Sequence, residues 1–100
     1  MSQDLVEALP IPAMLVDQSG RIGPANAGAR ALFGETLQGR HYITVLRQPT
    51  LLDAVERAII QSTTTKAQYL TTEARRDITW QATCASLPDG RVLISFEDRT

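Results

Sequence analysis

Across the polar hinge at residues 62–65, "STTT", the apolar residues of this chain change from helical spacing to strand spacing and do not change back. Before the hinge, "TLLDAVERAIIQ" places Leu51, Val55, Ala58 and Ile59 on one stripe with Leu52 beside it, the pattern of an amphipathic helix. Thr50 is positioned to cap that helix, Pro49 to stop it extending backwards, and Asp53 to sit in its first turn. After the hinge, residues 66–73 alternate weakly and residues 77–87 alternate cleanly, with Ile78, Trp80, Ala82 and Cys84 on one side. "PDG" at 88–90 then turns the chain into a last apolar strand, residues 91–98. Consecutive strands with hairpin-length connections pair antiparallel, because a parallel pair needs a long crossover.

The N-terminal half supplies two more strands. "PAMLVD", residues 12–17, is a near-continuous apolar run, which predicts a strand covered on both faces. "DQSG" predicts a turn ending in Gly20, and "RIGPA" resumes extended chain. Pro24 cannot donate to a ladder, so this second strand belongs at a sheet edge. Asn26 and Gly34 bracket "NAGARALFG" as the N-cap and C′ residues of a short helix, and "ETLQGRHYITVLRQP" reads as irregular or loosely helical. Residues 1–10 form a short amphipathic helix capped by Ser2 and stopped by Pro10, with Leu5, Val6 and Leu9 sharing a face. It is too short to stand alone in water, so that face packs on the sheet or on another copy.

Two strands, a helical middle and three strands make an α+β domain, residues 11–100, behind the cap helix 1–10. The last strand is strongly apolar and belongs in the sheet interior, most simply beside the first. The expected architecture is a five-stranded antiparallel sheet of order 2-1-5-4-3 with helices on one face.

One hundred residues make one domain, and 43% hydrophobic content is enough for a modest core. Ten basic residues against eleven acidic ones leave no large field to recruit nucleic acid or an anionic membrane, which points to protein partners or a small ligand. The single cysteine, Cys84, excludes an intramolecular disulfide and every multi-cysteine metal site, and fits a reducing compartment. No stretch approaches the roughly 20 apolar residues of a spanning helix. The start has no basic region followed by an apolar one, as a secretion signal would.

The chain resembles a PAS domain over essentially its whole length, through "LPIPAMLVDQSGRIGPAN", "AGARALFG" and "FEDRT". Asp17, Gly20 and Ile22 match that family's Asp–x–x–Gly–x–Ile hairpin, and Asn26 matches the asparagine that opens its first core helix. Asp98 and Thr100 match its closing Asp–x–Thr. The Leu46-Arg47-x-Pro49 segment with its Leu-rich helix is similar to the PAS domain of the phosphate-regulon sensor histidine kinase. "IGPAN" departs from the pattern, since an aromatic or charged residue more often precedes the asparagine. No phosphoacceptor segment is present, so the resemblance carries over no catalytic residue.

What the resemblance implies is a non-catalytic regulatory module with no cofactor, cytoplasmic, within a membrane-anchored kinase. Its partners would be a second copy, paired through the N-terminal helix, and the kinase's downstream dimerisation and ATP-binding domains. The alternative is a ligand- or cofactor-binding PAS sensor of another signalling protein. A small α+β enzyme would need a polar constellation that the sequence lacks.

In domains of this resemblance the final strand runs into a helix joining sensor to effector, and Asp98 and Thr100 would fix the backbone at that point. A carboxylate accepts from a backbone N–H or a basic side chain, and a hydroxyl caps the next helix. Reflecting the strands about the 88–90 turn puts Asp98 opposite Trp80, with Arg75 and Arg76 just upstream as candidate partners. The plainer reading of Glu97, Asp98 and Arg99 is a solvated strand end.

The lone His41 has no acid or metal partner in sequence and reads as structural or surface. Cys84, in phase with Trp80 and Ala82, reads as a small core hydrophobe. A pocket between the sheet and the 50–61 helix would be walled by Leu15, Ile43, Leu46, Arg47, Leu51, Val55, Ile59, Trp80 and Ile94. The same apolar stripe equally fills a closed core, which is the preferred reading. Arg47 reads as structural, with an anion contact as its alternative.

Overall fold

The computed structural model describes residues 2–99, without the side chains of residues 2–4, so the Ser2 cap and Thr100 lie outside the described residues. Strands β1 (Ala13–Val16), β2 (Ile22–Ala25), β3 (Thr65–Glu73), β4 (Arg76–Ser86) and β5 (Val92–Asp98) form one antiparallel sheet. Its order, β2-β1-β5-β4-β3, is the expected one, with the proline-bearing strand at one edge. The helices are α1 (Ser2–Glu7), α2 (Ala27–Phe33), α3 (Tyr42–Leu46) and α4 (Pro49–Gln61). Among the described residues no helix is long and apolar enough to cross a membrane.

All four residues of β1 are buried, because the sheet is covered on both sides there. Met14 and Val16 join Val92, Ile94, Phe96, Ala82 and Cys84 in the main core, against α2, α3 and α4. Ala13 and Leu15 point the other way, where Val6 of α1 covers them and Leu9, Leu87 and Leu93 pack around. The β1–β2 turn is built by Asp17, whose Oδ1 accepts from the Ser19 N–H (2.9 Å), the Ser19 hydroxyl (2.7 Å) and the Arg21 N–H (3.0 Å). Gly20 takes φ +90° in that turn, and a Cβ there would collide with the His41 ring.

Three expectations for the long helix need correction. Gln48, not Thr50, is the N-cap residue, and it makes no side-chain cap bond. Pro49 is the first helical residue, a place it suits because the N–H it lacks would have no helical partner and its φ is already set. Asp53 therefore lies beyond the first turn and pairs with Arg57 at 3.0 Å. The buried stripe is Leu51, Ala54, Val55 and Ala58, while Ile59 is only partly covered.

The face proposed for the first helix also differs. Val6 is buried and Leu9 half-buried, but Leu5 is 72% exposed. Six residues make fewer than two turns, which leaves room for one side chain against the sheet. Residues 42–46, within the segment expected to be irregular or loosely helical, form the regular helix α3.

Candidate functional site

The site suggested by the sequence is the end of β5. This strand lies between β1 and β4, and its ladder with β1 covers Val92–Ser95. One more bond, from the Phe96 N–H to the Pro12 carbonyl (2.9 Å), ties it on that side. Beyond Phe96 the ladder continues with β4, where Asp98 stands opposite Trp80, as the reflection about the turn places it. Short hairpin connections fix register, which is why the pair was legible in the sequence.

Trp80 is held in turn by β3, donating from Nε1 to the Thr71 hydroxyl at 3.0 Å. Its neighbour across that ladder is Tyr69, so Tyr69, Trp80 and Asp98 form one row on the inner face. Tyr69 packs against Phe33 (ring centroids 5.2 Å) and Phe96 (5.8 Å), and Phe33 against Phe96 (5.2 Å). This three-ring cluster had no local signal, because its members come from α2, β3 and β5. It connects the deepest part of the core to the strand end, two residues from Phe96 to Asp98 on one face.

Glu97, Asp98 and Arg99 are all exposed, as the plainer reading has them, but Arg99 is also bonded to β4. Its N–H donates to the Thr79 carbonyl (2.7 Å), its Nε to Gln81 Oε1 (2.9 Å), and its guanidinium lies 3.6 Å from Glu97. Arg99 thus extends the β4 pairing past the last strand residue. Of the candidate partners of Asp98, Arg76 lines a surface depression of about 320 Å³ together with Asp98, Glu73, Ala74 and Ile78. Arg75 and Ala74 are the two left-handed residues of the β3–β4 turn, φ +66° and +50°.

The proposed pocket walls are divided among the main core, the opposite face of the sheet and the surface. Leu46, Leu51, Val55 and Ile94 are fully buried in the main core, with Ile59 and Trp80 packed against it. Leu15 faces α1 on the other side of the sheet, since strand alternation sends it opposite to Met14 and Val16. Ile43 is 51% exposed because the short α3 turns only Tyr42 and Leu46, four residues apart, inward. No buried side-chain nitrogen or oxygen among the described residues lacks a partner.

Arg47 is exposed in a left-handed conformation, φ +62°, and its Nε closes α3 by donating to the Thr44 carbonyl at 3.1 Å. His41 opens the same helix: its Nδ1 accepts from the Ile43 N–H (3.3 Å) and its ring stacks on Tyr42. Cys84 is fully buried, and burial pushes its thiol up to about 11.

No protein-family model matches this chain, and no curated protein matches it. Solved structures do. The chain is similar to the photoactive yellow protein domain of the sensor histidine kinase Ppr from Rhodospirillum centenum, at 23% identity and TM-score 0.72, over 97% of this chain and 93% of that one. It is similar to the PAS domain of BvgS from Bordetella pertussis, at 17% identity and TM-score 0.75, over 99% of this chain and 84% of that one. The PAS domain of nitrogen regulation protein NR(II) from Vibrio parahaemolyticus matches at 10% identity and TM-score 0.68, over 98% and 97%. The chain has the PAS fold.

Proposed function

We propose that this PAS-fold domain is the non-catalytic regulatory module of a sensor histidine kinase of the phosphate-regulon type, working as a homodimer in the cytoplasm. Support for the kinase comes from similar folds that belong to sensor histidine kinases, that of Ppr among them. Support for the phosphate type comes from Leu46-Arg47-x-Pro49 and the helix after it.

The observation that carries the regulatory role is the row Tyr69–Trp80–Asp98 beside the Phe33–Tyr69–Phe96 cluster. A change in core packing moves Phe96, and the strand beyond it is held by β4 rather than by both neighbours. The end of β5 can therefore shift while the rest of the sheet stays paired. Such a shift passes to the chain that follows and biases a two-state kinase. For the dimer, Leu5 stands 72% exposed on α1. A second copy packed on that helix covers it.

The coding sequence after Thr100 tests the assignment directly. A helix bearing a phosphoacceptor histidine and an ATP-binding domain are expected, and a different effector overturns the kinase reading. In the full-length kinase, Asp98→Ala is expected to leave the domain folded but make autophosphorylation insensitive to phosphate limitation. A variant regulated like the parent removes Asp98 from the mechanism. Leu5→Asp is expected to shift the isolated domain to monomer in sedimentation velocity, and an unchanged dimer moves the interface elsewhere.

A further inference from the structure

β3 is the outer strand on the side away from the β1–β2 hairpin, nine residues long and in unbroken register with β4. Such an edge offers a row of backbone groups to any extended chain. Gln48 occupies one place in that row. Its Nε2 donates to the Leu70 carbonyl at 2.7 Å, and the Leu70 N–H donates back to Oε1 at 3.0 Å. A donor and an acceptor exchanged with a single residue is the pattern of a hydrogen-bonded antiparallel pair. The glutamine amide stands where a peptide unit of another strand would stand.

The alternation of the ladder then directs the backbone groups of Lys66, Gln68 and Thr72 outward as well. The Thr50 hydroxyl, which donates to the Gln68 carbonyl at 3.5 Å, agrees with that direction. The N–H groups of Lys66, Gln68 and Thr72 have no partner on this side among the described residues. Between this edge and α4 runs a groove of about 520 Å³, lined by Asp53 and Arg57 on the helix and by Lys66, Gln68 and Leu70 on the strand. Asp53 and Arg57 neutralise each other at 3.0 Å, whereas Lys66 makes no ion pair among the described residues. Leu70, 58% exposed, lies on the same strand face as Lys66, four residues away.

We propose that the outer edge of β3 binds an extended acidic segment of a partner protein, added antiparallel as a further strand. An apolar residue of the segment lies against Leu70, and an acidic residue four positions later lies against Lys66. Gln48 holds the edge in the free domain and swings out when the segment docks. Main-chain bonds supply the affinity, and the alternate side chains set the register. This interaction stands apart from the kinase assignment and survives if that assignment fails.

The probe is an end-blocked seven-residue peptide of β-branched residues, with leucine second and glutamate sixth, titrated into ¹⁵N-labelled domain. Shifts are expected at the amides of Lys66, Gln68, Leu70 and Thr72 and at the side-chain amide of Gln48. Replacing the glutamate by lysine is expected to weaken binding about fivefold. Gln48→Ala removes the competing amide and is expected to tighten binding about five- to tenfold. Gln68→Pro should abolish it and leave the melting temperature nearly unchanged, since that N–H points to solvent. Absence of binding at millimolar peptide, shifts centred elsewhere, or full binding by Gln68→Pro overturns the proposal. Self-association of Gln48→Ala through β3 overturns it too, because the occupant is then a second copy.

Discussion

Asn26 and Ala13 exchange two hydrogen bonds: the Asn26 backbone N–H donates to the Ala13 carbonyl at 3.1 Å, and the Ala13 N–H donates to the Asn26 side-chain oxygen at 3.0 Å. The same oxygen takes the Ala29 N–H at 3.0 Å and caps α2. The side-chain nitrogen donates to the carbonyls of Ile11 (2.7 Å) and Val6 (3.2 Å). One buried amide thereby joins α1, the segment leading into β1, and the start of α2.

Asn26→Ala leaves several of these backbone groups buried without a partner and removes the cap. The expected loss is about 2–4 kcal/mol. Urea denaturation measures it, and faster hydrogen exchange in residues 6–13 locates it. A loss under about 1 kcal/mol would mean that the surrounding backbone finds other partners.

Phe96 is fully buried and touches both other rings of the cluster. Phe96→Ala is expected to cost about 3–5 kcal/mol, and Phe96→Leu clearly less, because the cavity left is smaller. Thermal or urea unfolding checks the ranking. The emission of Trp80, the single tryptophan, should shift in Phe96→Ala, since the row from Tyr69 to Trp80 loses its backing.

Burial holds the Cys84 thiol at about 11, against the opposing effects of the Thr65 hydrogen bond and the Arg57 charge. The native protein should resist iodoacetamide at pH 8 until it unfolds. A raised folded value means stability that is complete below the unfolded thiol value of 9.0 and is lost as pH rises through about 11. Burial raises Tyr42 and Tyr69 in the same sense. Cys84→Ala should cost about 1 kcal/mol at neutral pH and flatten the alkaline arm of the stability profile. An unchanged alkaline arm would assign it to the tyrosines.

The Ser19 hydroxyl, with help from the backbone N–H groups of Arg21 and Ser19, holds the Asp17 carboxyl below its ordinary value. A lowered value means stability that is present above the ordinary carboxylate range and is lost as pH falls through the folded value. Asp17→Ala should therefore lose about 1 kcal/mol at neutral pH through its turn hydrogen bonds and show a shallower acid arm. Chemical denaturation at several acid pH values tests this, and parallel acid arms would refute it.

Sequence alone determined the elements and much of their order. Alternation at residues 77–87, the continuous run 12–17, Pro24 at an edge and the short 88–90 turn suffice for the sheet order and for Asp98 opposite Trp80. Those signals are local: spacing along a strand or the length of a turn is written within about ten residues. Tertiary structure decided which face each apolar residue joined. Leu15 and Leu5 are apolar in a run and a helix where both sides look alike, so only the body packed against them separates buried from exposed. The same holds for the reach of Asn26, the Gln48–Leu70 exchange and the Arg99 clamp. Each depends on groups that meet from 13 to 22 residues away, and no pattern within one element encodes such a partner.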